Sequence, residues 1–121
     1  MENLKSREQY LGNPNLKKAF TPSEFTEDQI LELEKCINDP KYFITNFINI
    51  VTIDRGLVPF EMYKFQEKMV DTFHDNRFTI CKLPRQSGKS TTTISYLLHY
   101  ALFNPNSNIA ILANKSSTAR D

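Results

Sequence analysis

The order strand, glycine–lysine loop, helix, turn, strand is the feature that most constrains this chain. The run "RFTICKL" (77–83) is short, apolar and typical of a strand, and the loop "PRQSGKS" follows it. The long amphipathic segment "SGKSTTTISYLLHYALF" is typical of a helix, and the turn "NPNSN" ends it. The continuous apolar run "IAILA" (109–113) is typical of a buried strand. This order predicts a βαβ unit with parallel strands and a right-handed crossover.

The loop ends in Gly88, Lys89 and Ser90, which are the last positions of the pattern G-x-x-x-x-G-K-[ST]. In that pattern, successive backbone N–H groups surround phosphate oxygens at a helix N-terminus. The lysine reaches the outer phosphates, and the hydroxyl group ligates magnesium. Leu83 replaces the first glycine, and Pro84 stiffens the exit from the strand by fixing one backbone angle. The sequence therefore predicts a nucleotide-phosphate site.

Two further polar residues distinguish this loop from a plain glycine-rich one. Arg85 and Gln86 stand between the proline and the Gly-Lys-Ser ending. An arginine close to the terminal phosphate can neutralise charge that develops during phosphoryl transfer. A salt bridge or a solvent-facing charge is the alternative for Arg85, and the residues alone leave both open.

Upstream of the loop, the chain divides into a polar arm (1–25) and a helical segment that begins the domain spanning residues 26–121. Thr26 and Gln29 form a predicted capping box, and Asp39 precedes Pro40 at a second helix start. "INIVTIDRGLVPF" indicates an extended segment and a turn, and "EMYKFQEKMVDTFHD" a third helix. We expect the first two helices to pack through apolar stripes, namely Ile30, Leu31, Leu33 and Ile37, and then Phe43, Ile44, Phe47 and Ile48.

Composition limits the classes of protein available. The 121 residues carry a net charge of +1, which suits one α/β domain with no strongly charged partner surface. Cys36 and Cys81 are too few for a disulfide framework, which predicts a reducing, intracellular setting. We expect no signal peptide in "MENLKSREQY" and no membrane partner, because no apolar run approaches the length of a membrane helix.

Four segments resemble, in order, the myovirus-type large terminase subunit, the motor that pumps double-stranded DNA into phage capsids. "KLPRQSGKSTT" is similar to that family's deviant Walker A loop, which often lacks the first glycine and carries an arginine. "YLGNPNLKKAF", "FEMYKFQEKMV" and "IAILANKSSTAR" are the other three. The resemblance implies a P-loop NTPase fold, ATP and Mg²⁺ as cofactors, and DNA, the viral portal and the small terminase subunit as partners in the host cytoplasm.

The same resemblance assigns roles to particular residues. Phe65 would stack on the base and Gln66 would hydrogen-bond its edge, since an amide offers both a donor and an acceptor. Arg85 would act as an arginine finger in cis, and with Lys89 it would be catalytic. The remaining nucleotide contacts would come from Gln86, Ser87, Gly88, Ser90 (also the magnesium ligand) and Thr91. The alternative for Phe65 is a core position that shares a helix face with Met69 and Phe73.

The segment "ANKSSTAR" is similar to the family's coupling motif, which links nucleotide state to DNA handling. Lys115 and Arg120 would there contact DNA phosphates or relay movement. A solvated helix start is the alternative for both.

An ATPase of this family needs an Asp-Glu pair after the phosphate loop, to hold magnesium and orient the attacking water. Asp121 is the single carboxylate after Ser90, and the carboxylate-rich nuclease domain of the family is not present in the sequence. We therefore expect the front end of a larger motor, which binds nucleotide weakly, does not turn ATP over alone and has an open sheet edge. A helicase-like P-loop translocase and a non-catalytic module that docks through its N-terminal helices are the rival interpretations.

Overall fold

The computed structural model describes residues 10–13 and 15–120, and over these residues the protein is mixed α/β. The chain divides into two compact units, Met1–Ile30 and Leu31–Asp121. The described residues form a 3₁₀ turn, Tyr10–Gly12, and then five α-helices and a single two-stranded sheet. These elements are α1 (Glu27–Asn38), α2 (Pro40–Phe47), β1 (Asn49–Thr52), β2 (Gly56–Pro59), α3 (Lys64–Asp75), α4 (Lys89–Phe103) and α5 (Ser116–Arg120).

In the first unit, the capping box predicted at the start of α1 is confirmed. The Thr26 backbone N–H donates to Gln29 Oε1 at 3.0 Å, and the Gln29 N–H donates to Thr26 Oγ1 at 3.3 Å. Both bonds satisfy N–H groups that have no acceptor inside the helix. Part of the predicted polar arm, residues 1–9 and 14, lies outside the described residues; the rest consists of turns and irregular chain.

The core of the second unit forms where α2, α3 and α4 meet. Ile44 and Val70 are fully buried, and Phe43 and Phe60 pack with them. Helix α2 starts as predicted, because Asp39 Oδ1 accepts the Lys41 N–H at 2.9 Å and proline occupies the first turn. Full burial of an aliphatic side chain of this size stabilises the fold by about 1.5–3 kcal/mol.

The prediction that α1 packs through its apolar stripe is wrong. Its four apolar residues are between 41% and 55% exposed, and Cys36 is the buried residue of this helix. A stripe of apolar residues predicts a face that can be buried, and whether it is buried depends on a partner element. Helix α2 does have one: Phe43 and Ile44 are buried, whereas Phe47 at the end of its stripe is half exposed.

The extended segment and turn predicted around residue 54 form a β-hairpin. Strands β1 and β2 pair antiparallel from Asn49↔Pro59 to Thr52↔Gly56, which leaves residues 53–55 as the loop. Gly56 has φ +69°, a left-handed conformation that glycine adopts at little cost and that commonly closes such loops.

The parallel sheet predicted from the sequence is not found in the described residues. The segments 77–83 and 109–113 form no ladder, and the sheet present is the antiparallel hairpin. Phe78, Ile80 and Leu112 are 82%, 98% and 89% exposed. The described residues therefore show the mixed α/β class but not the parallel sheet, because strand propensity acts through neighbours and no described strand lies beside either segment to bond it. None of the helices between residues 10 and 120 is long and apolar enough to cross a membrane.

Candidate functional site

A cavity of about 650 Å³ lies between the start of α3 and the loop that precedes α4. The hairpin and the segment after it contribute one side, and the glycine–lysine loop contributes the other. The lining residues are Ile50, Phe60, Glu61, Tyr63, Phe65, Gln66, Leu83, Pro84, Gln86, Ser87, Gly88 and Thr91.

Gln66 connects the two sides of this cavity. Its side chain is 3% exposed, and its Nε2 donates to the Ser87 carbonyl at 3.2 Å. Its Oε1 accepts the Tyr63 backbone N–H at 2.9 Å, which caps the start of α3. Because both ends of the amide bond to backbone groups, one buried side chain sets the position of the loop relative to α3.

Gly88 is the N-cap of α4 and is the tightest point of the loop. Its backbone is left-handed, with φ +73° and ψ +16°, and a Cβ atom added there would lie 2.5 Å from Gln66 Nε2. No side chain caps this helix start. The N–H groups of the first helical turn have no acceptor within their own helix, so they are donors of the kind that bind phosphate oxygens.

The Lys89 side chain folds back across the loop. Its Nζ donates to the Leu83 carbonyl at 3.5 Å, which is the long end of the hydrogen-bond range. The Ser87 hydroxyl also bonds within the loop and donates to the Pro84 carbonyl at 2.9 Å. The ammonium group is therefore held only weakly, at the Leu83 end of the loop.

The structure brings most, but not all, of the predicted site residues to the cavity. Those that line it are Phe65, Gln66, Gln86, Ser87, Gly88 and Thr91. Arg85 and Ser90 are exposed beside the cavity, and Lys89 is half-buried. Phe65 is 40% exposed, and Met69 on the same helix is buried, so the α3 face begins at the cavity and continues into the protein.

The residues present fit a magnesium–nucleotide pair. Across residues 10–13 and 15–120, no three His, Cys, Asp or Glu side chains gather as a metal cluster. Mg²⁺ commonly takes one or two protein oxygens and completes its shell with substrate phosphates and water. The Ser90 hydroxyl in the first turn of α4 supplies one such oxygen.

Sequence reasoning missed Tyr63 as a cavity residue. Its ring lies near-parallel to that of Phe65, with centroids 5.9 Å apart and planes 9° from parallel, and it is 70% exposed. The available signal was the second aromatic residue in "EMYKFQ", two positions before Phe65. The predicted coupling residues Lys115 and Arg120 are exposed and lie away from the cavity lining.

The far half of α4 holds a buried histidine. His99 is 4% exposed, and its Nε2 lies 2.7 Å from the Cys36 carbonyl of α1. Since a carbonyl only accepts, Nε2 carries the proton and the neutral ring is satisfied. Burial lowers the pKa of His99, and the carbonyl bond offsets this only in part. This contact anchors the helix that begins at the phosphate loop.

No protein-family model matches the chain.

Proposed function

We propose that the chain binds Mg²⁺–ATP in this cavity, as the first part of the ATPase motor of a terminase-like DNA-packaging protein. The observation that carries the proposal is the bond from the buried Gln66 side chain to the Ser87 carbonyl. It joins the aromatic–glutamine segment to the glycine–lysine loop, so that both face one cavity of about 650 Å³. In this proposal the base lies against the aromatic–glutamine segment of α3, and the triphosphate lies against the glycine–lysine loop.

The phosphates and the magnesium ion have chemical counterparts in the loop and in the first turn of α4. The phosphates would accept from the first-turn N–H groups of α4, where the helix dipole also favours negative charge. Lys89 would exchange its long bond to the Leu83 carbonyl for the outer phosphates, and Ser90 would hold magnesium. Arg85 is exposed and makes no ion pair with any residue that the structure describes, which disfavours the salt bridge and leaves a role at the terminal phosphate beside a solvent-facing charge.

We infer that segments 77–83 and 109–113 belong to a parallel P-loop sheet that further strands complete. Their exposed apolar residues support this, because Ile80 and Leu112 would be covered by neighbouring strands. DNA, the viral portal and the small terminase subunit are the partners that follow from the same proposal. Since the sequence has only Asp121 as a carboxylate after Ser90, the chain alone should bind nucleotide without sustained turnover.

Titration with a fluorescent ATP analogue and Mg²⁺ tests the binding site. The unmodified chain should bind, and Lys89→Ala should weaken binding at least tenfold because it removes the charge that meets the outer phosphates. Lys68→Ala, which deletes an exposed lysine of α3, is the matched control and should bind as the unmodified chain does. Binding that is equal in all three proteins contradicts the phosphate site, and sustained ATP hydrolysis contradicts the expected lack of turnover.

A non-catalytic docking module is the second candidate, and the exposed apolar stripe of α1 favours it. Ile30, Leu31, Leu33 and Ile37 lie on a helix that a partner could cover. This candidate requires no nucleotide. Complete absence of lysine-dependent binding in the titration above would favour it over the ATPase.

A further inference from the structure

We infer that Tyr63 is the base-stacking residue of the proposed nucleotide site, and that the site accepts nucleoside triphosphates without strong preference for adenine. The inference rests on the proposed function and adds the substrate class. It assigns Gln66 a positioning role, which differs from the base-reading role that the sequence predicts for it.

The first argument concerns the hydrogen-bonding capacity of Gln66. Its Oε1 already accepts from Tyr63 N–H and its Nε2 donates to the Ser87 carbonyl. The amide retains one N–H and one lone pair, yet the residue is only 3% exposed. A base edge therefore cannot approach those atoms unless the loop or the start of α3 moves.

The second argument concerns contact between that amide and the loop backbone. The position that a Cβ of Gly88 would occupy is 2.5 Å from Nε2, so the amide is pressed against the loop. Rotating it toward the cavity would break the bond to the Ser87 carbonyl. That would leave the part-buried carbonyl and the buried amide of Gln66 without their bond, which is costly.

The third argument is the surface that the cavity does offer. Tyr63 is 70% exposed, and Phe65 beside it is 40% exposed. Their rings are near-parallel at 9°, and both line the cavity. Every base has a π-face, so stacking on an aromatic ring tolerates different bases and contributes about 1–3 kcal/mol. Tyr63 is thus an exposed aromatic ring on a backbone whose N–H is bonded to Gln66, and its face is open to a base.

Hydrogen-bond readout and stacking predict different selectivities. A site that reads a substrate through buried polar groups rejects an analogue lacking the match by as much as about 10⁴-fold. A stacking site has no such partner to leave unsatisfied. We therefore expect Kd values for ATP and GTP that lie within about 20-fold of each other.

The experiment measures Mg²⁺-dependent binding of ATP, GTP and inorganic tripolyphosphate by isothermal titration. Proteins compared are the unmodified chain, Tyr63→Ala, Tyr63→Phe and Lys89→Ala. Tyr63→Ala should weaken the binding of ATP and GTP alike, by about 5- to 150-fold, and leave that of tripolyphosphate unchanged. Tyr63→Phe keeps the ring and should bind as the unmodified chain does. Circular dichroism confirms that each variant is folded.

The outcomes separate this inference from the proposed function. If tripolyphosphate and ATP bind and Lys89→Ala abolishes both, the phosphate site stands. Unchanged ATP binding by Tyr63→Ala, or a preference for ATP over GTP above about 20-fold, then overturns the stacking inference alone. If none of the three ligands binds in a Lys89-dependent manner, the proposed function fails and this inference fails with it.

Discussion

Replacing Gly88 with alanine perturbs the one point where backbone conformation and side-chain contact meet in this loop. The substitution places a Cβ on a residue with φ +73°, a conformation that L-residues other than glycine adopt with strain. The same Cβ would lie 2.5 Å from Gln66 Nε2, which is shorter than any real contact of this kind. The Gln66 side chain must therefore move.

The two effects have different magnitudes. The left-handed conformation costs about 1–2 kcal/mol for a residue with a Cβ. Displacing Gln66 breaks the bond from its buried amide to the Ser87 carbonyl, and a buried polar group left without its partner costs about 1–3 kcal/mol. We expect Gly88→Ala to reduce the free energy of unfolding by the sum, about 2–5 kcal/mol.

Gly56→Ala is the matched control, because Gly56 has φ +69° and no atom within 4 Å of an added Cβ. It should show the conformational cost alone, so the difference between the two variants isolates the contact with Gln66. Urea unfolding followed by circular dichroism gives both values. Equal destabilisation by the two substitutions would refute the reasoning. The double variant Gln66→Ala/Gly88→Ala gives a second check. Its loss of unfolding free energy should be smaller than the sum of the losses in the two single variants, because the bond between Gln66 and the Ser87 carbonyl can be lost only once.

Two further predictions concern stability. Because burial lowers the pKa of His99, the unfolded chain binds a proton more readily there than the folded chain; stability is full above the unfolded pKa of about 6.5 and falls as pH drops below it, down to the folded pKa. Unfolding between about pH 7.5 and 5.5 should show this loss, and His99→Gln should flatten it. Asp39→Ala should lower the free energy of unfolding by about 1 kcal/mol in urea because it removes the cap on the Lys41 N–H. Asp39→Asn should retain most of that stability, and equal losses in the two Asp39 variants would rule out the cap.

The helix starts were predictable because the signals for them are local. Thr26 with Gln29, and Asp39 with Pro40, act through atoms within a few residues, and the structure confirms both. Whether the segments 77–83 and 109–113 form strands was not predictable, since a strand forms only beside another strand. Their composition is typical of strands, but the described chain gives them no partner. The α1 stripe fails for the same reason, because burial needs a second surface.

The candidate site was partly predictable. The Gly88–Lys89 pattern located the loop, and the aromatic–glutamine segment located the opposite wall. What the sequence could not give was the state of the Gln66 amide, since its two bonds join residues 63 and 87 through the fold. Tyr63 was missed because an aromatic residue before a helix is as typical of packing as of ligand binding.

Helix α4 has mechanical consequences that follow from how it is held. It begins at Gly88 and, eleven residues later, His99 is fixed to the Cys36 carbonyl. At 1.5 Å per residue this helical stretch is about 16 Å long, and its far part is held by His99 among aromatic side chains. If the loop end of α4 were displaced, the helix would tilt about His99, and its last turn, near Phe103, would move in the opposite direction.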